Sequence, residues 1–254
     1  MNLQNKYNLS PLRFLCGLVL FIGAITHFSV NADPDNLKFS LQRLTYMVGE
    51  KSVSVSLRNT STSAYLIQAN MQWLDENTGI NILNKKEKIP FTVTPPLYKL
   101  KGDEYYSWRI LFTGQTQNLP SDRESVFLVQ LKAIPSTERQ SQSSLQFTVT
   151  RSLLFKVYYR PADLKDITLE QVAEKLSFRR ENNALIVMNN SPIYATFDNL
   201  SINGHAFSDE ALFLSVPPFS EQRFHFESLP SGSVSWAILD EYLLPTKQKT
   251  RLIQ

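Results

Sequence analysis

Residues 143–161 read SSLQFTVTRSLLFKVYYRP, and in them Leu145, Phe147, Val149, Leu153 and Phe155 recur at every second position, with Arg151 as the interruption. Successive side chains of an extended strand point to opposite faces. The spacing therefore gathers the apolar set on one face and leaves Gln146, Thr148, Thr150 and Ser152 on the other. The run closes on Lys156-Val-Tyr-Tyr-Arg160 and then Pro161, whose missing N–H and fixed φ stop or redirect a strand. Such a segment needs a β-sheet to lie in, and its end marks a boundary between two domains.

The flanking sequence supplies the rest of the sheets. Before the boundary, residues 39–47 (FSLQRLTYM) alternate, as do Val53, Val55 and Leu57. Residues 65–73, 108–112 and 126–134 are further extended runs, separated by Asn, Ser, Gly and Pro clusters. After it, residues 162–175 (ADLKDITLEQVAEK) read as one short helix or a linker. Strand signals then resume at 176–178, 185–188, 193–200, 212–216, 223–226 and 234–239, with Asn203-Gly204 placed as a hairpin turn. The pattern predicts an all-β chain of two immunoglobulin-like β-sandwich domains in tandem, residues 33–161 and 162–254.

The first 32 residues carry Lys6 and Arg13 and no acid, then an apolar run over 14–25, then Val30-Asn-Ala32. A basic start, a short apolar core and small residues at the minus-three and minus-one positions describe a secretory signal peptide cut after Ala32. Cys16 follows Arg13-Phe14-Leu15, which is not the small-residue context of a lipoprotein cleavage site. Removing 32 of the 254 residues leaves 222 with no cysteine, and the net charge of +3 falls to +1 because Lys6 and Arg13 leave with the leader. The mature chain is held by apolar cores rather than disulfides. Thiol chemistry and cysteine metal sites are excluded, and the charge gives no sign of a nucleic-acid partner.

Residues 154–164 (LFKVYYRPADL) resemble the closing strand of the first domain in the periplasmic pilus chaperones of the chaperone/usher pathway. Arg43-Leu-Thr-Tyr46, Val55-Ser-Leu-Arg-Asn59, residues 89–100 with their diproline, Trp108-Arg-Ile110 and residues 119–127 (LPSDRESVF) resemble further blocks of that family in the same order. In the second half, residues 185–194, 218–220 and 234–242 are similar to it more loosely. The resemblance implies two sandwiches set at an angle with a cleft between them, residence in the periplasm, and two partners, pilus or fimbrial subunits and an outer-membrane usher. It also implies an interface problem. A pilus subunit lacks its last strand and exposes an apolar groove with unpaired backbone groups, and the chaperone lends a strand to fill it. Chaperone–pilin pairing is a standing example of strand addition.

On this resemblance Leu145, Phe147 and Val149 enter the subunit groove. Arg151 stands where the family places a third large aliphatic residue, so Leu145 or Leu153 takes that role. Arg43 and Lys156 match the pair of cations that holds the subunit's C-terminal carboxylate in the cleft. Glu124, Arg160 and Glu241, aligned in preference to Asp240, match a salt-bridge set that fixes the angle between the domains. Leu243 stands where the family usually has a glycine. The short polar loop over 135–144 resembles chaperones that serve thick, rod-like pili. An exposed donor strand also allows a self-dimer in the empty state.

Catalysis finds no support in the residues. His205 lies beside a turn and His225 in a strand pattern, neither with a motif-like partner, and there is no phosphate loop, nucleophile elbow or zinc spacing. No enzyme activity, cofactor, metal or small-molecule substrate is implied. The rival reading is a secreted tandem immunoglobulin-like adhesin, which would have no need of Arg43 and Lys156 for binding.

Overall fold

In a computed structural model of the chain, the described residues are 36–253 without 41, 77, 83, 84, 86, 137–148 and 227–230. The leader, Leu145, Phe147 and most of the 135–144 loop lie outside them. The first half contributes β1 (Leu37–Phe39), β2 (Leu44–Met47), β3 (Val53–Asn59), β4 (Tyr65–Leu74), β5 (Asn81–Ile82), β6 (Phe91–Thr94), β7 (Leu97–Leu100), β8 (Tyr105–Phe112), β9 (Ser125–Pro135) and β10 (Arg151–Arg160). One sheet runs β1-β3-β8-β6. The other runs β2-β10-β9-β4-β5, with β7 also on β4. Leu57, Ile67, Trp108, Ile110, Leu131 and Val157 are among the fully buried residues that fill the space between the two sheets.

Residues 39–47 are not one strand. Leu37 faces its core before the break and Leu44 and Tyr46 face it after, an odd-to-even change of phase that a single straight strand cannot make. The chain accordingly changes sheets: Phe39 pairs with Leu57 of β3, and Leu44 pairs in parallel with Val157 of β10.

In the second half, residues 162–175 do contain a helix, α1 (Leu169–Glu174). Thr168 Oγ1 accepts from Gln171 N while the Gln171 side chain accepts from Thr168 N, a capping box that satisfies two helix-end donors and explains why so short a helix forms. There follow β11 (Leu176–Glu181), β12 (Ala184–Asn189), β13 (Ala195–Ile202), β14 (His205–Ala206), α2 (Asp209–Leu212), β15 (Ser215–Val216), β16 (Glu221–His225), β17 (Ser233–Ile238) and β18 (Lys249–Leu252). Asn203 and Gly204, at φ 48° and 80°, form the tight turn between β13 and β14. The strand expected over 212–216 is mostly absent, because Ser208 caps a helical turn and Leu212 ends it. Sheets β11-β12-β16 and β14-β13-β17-β18 enclose a separate core around Leu185, Phe224 and Trp236.

Both sandwiches turn one corner with the same device. Asn59 donates to the carbonyls of Ser63 and Lys101 and accepts from the backbone and hydroxyl of Ser61. Asn189 donates to Ile193 and Val216 and accepts in the same way from Ser191. Each is fully buried, so its amide supplies partners that backbone groups there would otherwise lack.

Candidate functional site

The period of two decides which β10 residues look inward. Phe155, Val157 and Tyr159 join the first core. Lys156, Tyr158 and Arg160 must therefore face the other way, and there they meet the second sandwich. Tyr158 packs with Val126 and Tyr194 in a small buried cluster, the two tyrosine rings 5.6 Å apart.

Beside that cluster sits Glu124, whose side chain is 0% exposed. Arg160 Nε donates to its Oε1 at 2.8 Å, while Arg43 Nη1 and Nη2 donate to Oε1 and Oε2 at 3.0 and 2.8 Å. Tyr194 N, from the second sandwich, adds a fourth bond at 2.9 Å. Arg160 Nη2 also reaches Glu241 Oε1 at 2.7 Å, and Thr45 donates to the other oxygen of Glu241 at 2.8 Å. The Arg43 guanidinium lies 3.8 Å from the centre of the Tyr158 ring, a cation–π contact. Burial alone would neutralise Glu124, but Arg43 and Arg160 hold its carboxyl below the usual range. Burial likewise opposes the charge on Arg43, and Glu124 overrides it, so its pKa is raised. Backbone bonds from Arg43 N to Glu241 O and from Glu124 N to Pro192 O, 3.0 and 2.9 Å, tie the same region across the two sandwiches.

Of the two acids at 240 and 241, Glu241 is the one that reaches Arg160. Asp240 instead caps its own turn, its Oδ1 accepting from Tyr242 N and Leu244 N. Leu243 adopts φ 58° in that turn, the left-handed region in which glycine is at ease. Arg43 lines the cleft and also belongs to the Glu124 network, where all four of its Nη hydrogens are engaged by Glu124, Thr45 and Tyr194. The reason is electrostatic: a buried carboxylate facing two strands needs more than one cation, and Arg43 is within reach.

Lys156 is placed differently. It and Arg43 line one cavity of about 390 Å³ whose other walls include Leu154, Phe197, Leu212 and Leu243. The ammonium donates to Phe213 O at 2.6 Å and Ser215 Oγ at 2.9 Å, and lies 4.9 Å from the Phe213 ring. Burial, with a contribution from Arg43, lowers its pKa. The sequence reading missed Tyr158, Tyr194 and Ser215. Tyr158 was recoverable from the alternation Lys156-Tyr158-Arg160; the other two come from distant segments of the chain and carried no signal.

β10 also has an open side. It pairs with β9 from Arg151↔Ala133 to Tyr159↔Ser125, yet β2 covers its other side only over Val157–Arg160. Among the described residues no strand pairs with that side over Ser152–Lys156. Just before it stands Val149, 78% exposed. Leu153 departs from expectation: it is only 9% exposed and packs in the first core, because its strand position lies opposite Leu131, inside the sandwich. It is a core residue here and not a free groove ligand. Leu153→Ala should cost about 2–4 kcal/mol of stability, whereas Val149→Ala should change it by under about 0.5 kcal/mol, as read by denaturant unfolding. Equal effects would contradict the assignment.

Residues 36–165 match the family described as "Pili and flagellar-assembly chaperone, PapD N-terminal domain", and residues 171–242 match "Pili assembly chaperone PapD, C-terminal domain". The chain belongs to the PapD family of pilus-assembly chaperones. This chaperone is 31% identical to "Chaperone protein FimC" of Escherichia coli O6:H1, over 94% of its own length and 92% of the relative's. It is 33% identical to "Chaperone protein HifB" of Haemophilus influenzae, over 88% and 89%. Among solved structures it resembles a chain of the Salmonella enterica SafA pilin–SafB chaperone complex, with a TM-score of 0.71, 25% identity and coverage of 85% and 95%. The Escherichia coli chaperone DraB matches with a TM-score of 0.70, 27% identity and coverage of 86% and 96%.

Proposed function

We propose that this chaperone caps a pilus subunit in the periplasm by lending it the open edge of β10 together with the residues just before it, and then delivers it to an outer-membrane usher. The observation that carries the reading is a strand whose edge is open from Ser152 to Lys156, preceded by the exposed Val149 and ending at a cation in a cavity. Main-chain groups on that edge supply hydrogen bonds to the subunit, and Leu145, Phe147 and Val149 supply side chains for its groove. Lys156, with Arg43 behind it, receives the subunit's terminal carboxylate and so fixes the register of the added strand. Glu124, Arg160, Arg43 and Glu241 hold the two sandwiches, divided at Pro161, in the orientation that forms the cavity. Cleavage after Ala32 releases the exported chain, and the activity is binding without catalysis or cofactor. The incoming extension of the next subunit displaces the lent strand, an exchange that needs no nucleotide.

The test is co-purification from a periplasmic extract of the wild type and of a Lys156→Ala variant, with mass spectrometry of what accompanies each. A small pilin-like protein that comes with the wild type and is lost from a still-folded variant supports the reading. The same partner with both forms removes the carboxylate anchor and favours a tandem adhesin.

A further inference from the structure

Lys156 stands on the first sandwich, but its ammonium is seated by the second. Two of its three N–H groups go to Phe213 O and Ser215 Oγ, in the segment between α2 and the start of β15. The Ser215 hydroxyl is itself fixed: it lies 2.7 Å from Thr196 Oγ1 on β13, so while Ser215 accepts from the ammonium its own hydrogen can go to Thr196. Ser215 is buried and Thr196 lines the cavity, which leaves the hydroxyl little freedom to turn elsewhere. Arg43, by contrast, has no Nη hydrogen to spare. Among the described residues, the hydrogen best placed to meet a carboxylate in this cavity is the third one on Lys156.

We propose that Ser215 is a positioning residue for the carboxylate anchor: with the Phe213 carbonyl it fixes the Lys156 ammonium so that the remaining N–H points into the cavity. Recognition of the terminal carboxylate then depends on both sandwiches at once. A lysine left to swing on its four-carbon stem would have to be ordered by each ligand it bound, and seating it beforehand removes that cost from binding. The inference rests on the reading that a subunit's terminal carboxylate enters this cavity.

The experiment uses the full mature chain and one synthetic peptide, the C-terminal strand of the subunit that co-purifies, made as the free acid and as the C-terminal amide. Wild type should bind the acid about tenfold or more tightly than the amide, as loss of a charge-assisted hydrogen bond would dictate. Ser215→Ala should lose most of that preference by weakening the acid alone, leaving amide binding within about twofold, and Ser215→Thr, which keeps a hydroxyl, should restore it. If wild type does not distinguish acid from amide, the carboxylate reading itself fails. If wild type does distinguish them and Ser215→Ala keeps the same ratio, or weakens both peptides equally, the positioning role is overturned while the carboxylate reading stands. Thermal unfolding followed at Trp236, buried in the second core, confirms that each variant is folded.

Discussion

Replacing Glu124 by alanine is expected to lower the unfolding free energy by about 3–5 kcal/mol. The size of the effect follows from the company the carboxylate keeps. Arg43 and Arg160 have side chains only 5% and 3% exposed, and Glu124 takes three of their hydrogen bonds and one from Tyr194 N. Without it two permanently charged guanidinium groups remain in a poorly solvated seam, with the partly exposed Glu241 as the nearest acid. Glu124→Gln should be milder, since the amide oxygen still accepts, though the charge is gone. Acid should imitate these variants. Glu124 has a folded-state pKa below the ordinary carboxylate value, so its contribution to stability is fully present above the unfolded value and is lost as pH falls through the folded one. Denaturant unfolding across a pH series, followed by fluorescence of Trp73 and Trp108 in the first sandwich and Trp236 in the second, would show this as a steeper acid loss in wild type than in Glu124→Gln. Parallel pH profiles would contradict the role given to Glu124.

The second large effect falls on binding and spares the free chain. Val149→Asp should weaken subunit binding by more than about 100-fold. It forfeits roughly 1.5–3 kcal/mol of apolar burial and would bring an unpaired charge into an apolar groove. At 78% exposure in the free chaperone the same change should alter stability by less than about 0.5 kcal/mol. Titration of the purified chaperone with its subunit, beside an unfolding curve for each form, separates the two quantities. Weak binding with an equally destabilised chaperone would place Val149 in the fold rather than in the interface.

The reach of the sequence follows the range of the forces involved. Period-two alternation is a local property, and it revealed β10, β9 and β4; the face shared by Lys156, Tyr158 and Arg160 was recoverable from it but went unread. It failed where phase mattered over a longer span: residues 39–47 look continuous until Leu37, Leu44 and Tyr46 are placed against a core. Short edge strands such as Leu97–Leu100 and Lys249–Leu252 escaped because their burial depends on neighbours far along the chain. At the site, resemblance named the charged residues but divided them into two separate sets. The structure joins them, because Glu124 sits where both arginines can reach it. Leu153 illustrates the same limit. The alternation marks which face it shares with Val149, but not that the sandwich already covers it.

Strand donation is tested most directly by hydrogen exchange along β10 in the free chaperone and in its complex with a subunit. Amides of residues 152–156 that face away from β9 are expected to exchange readily in the free chain and to become strongly protected in the complex, while those bonded to β9 change little. Protection that appears only in the second sandwich, with the open edge of β10 still exchanging freely in the complex, would contradict it.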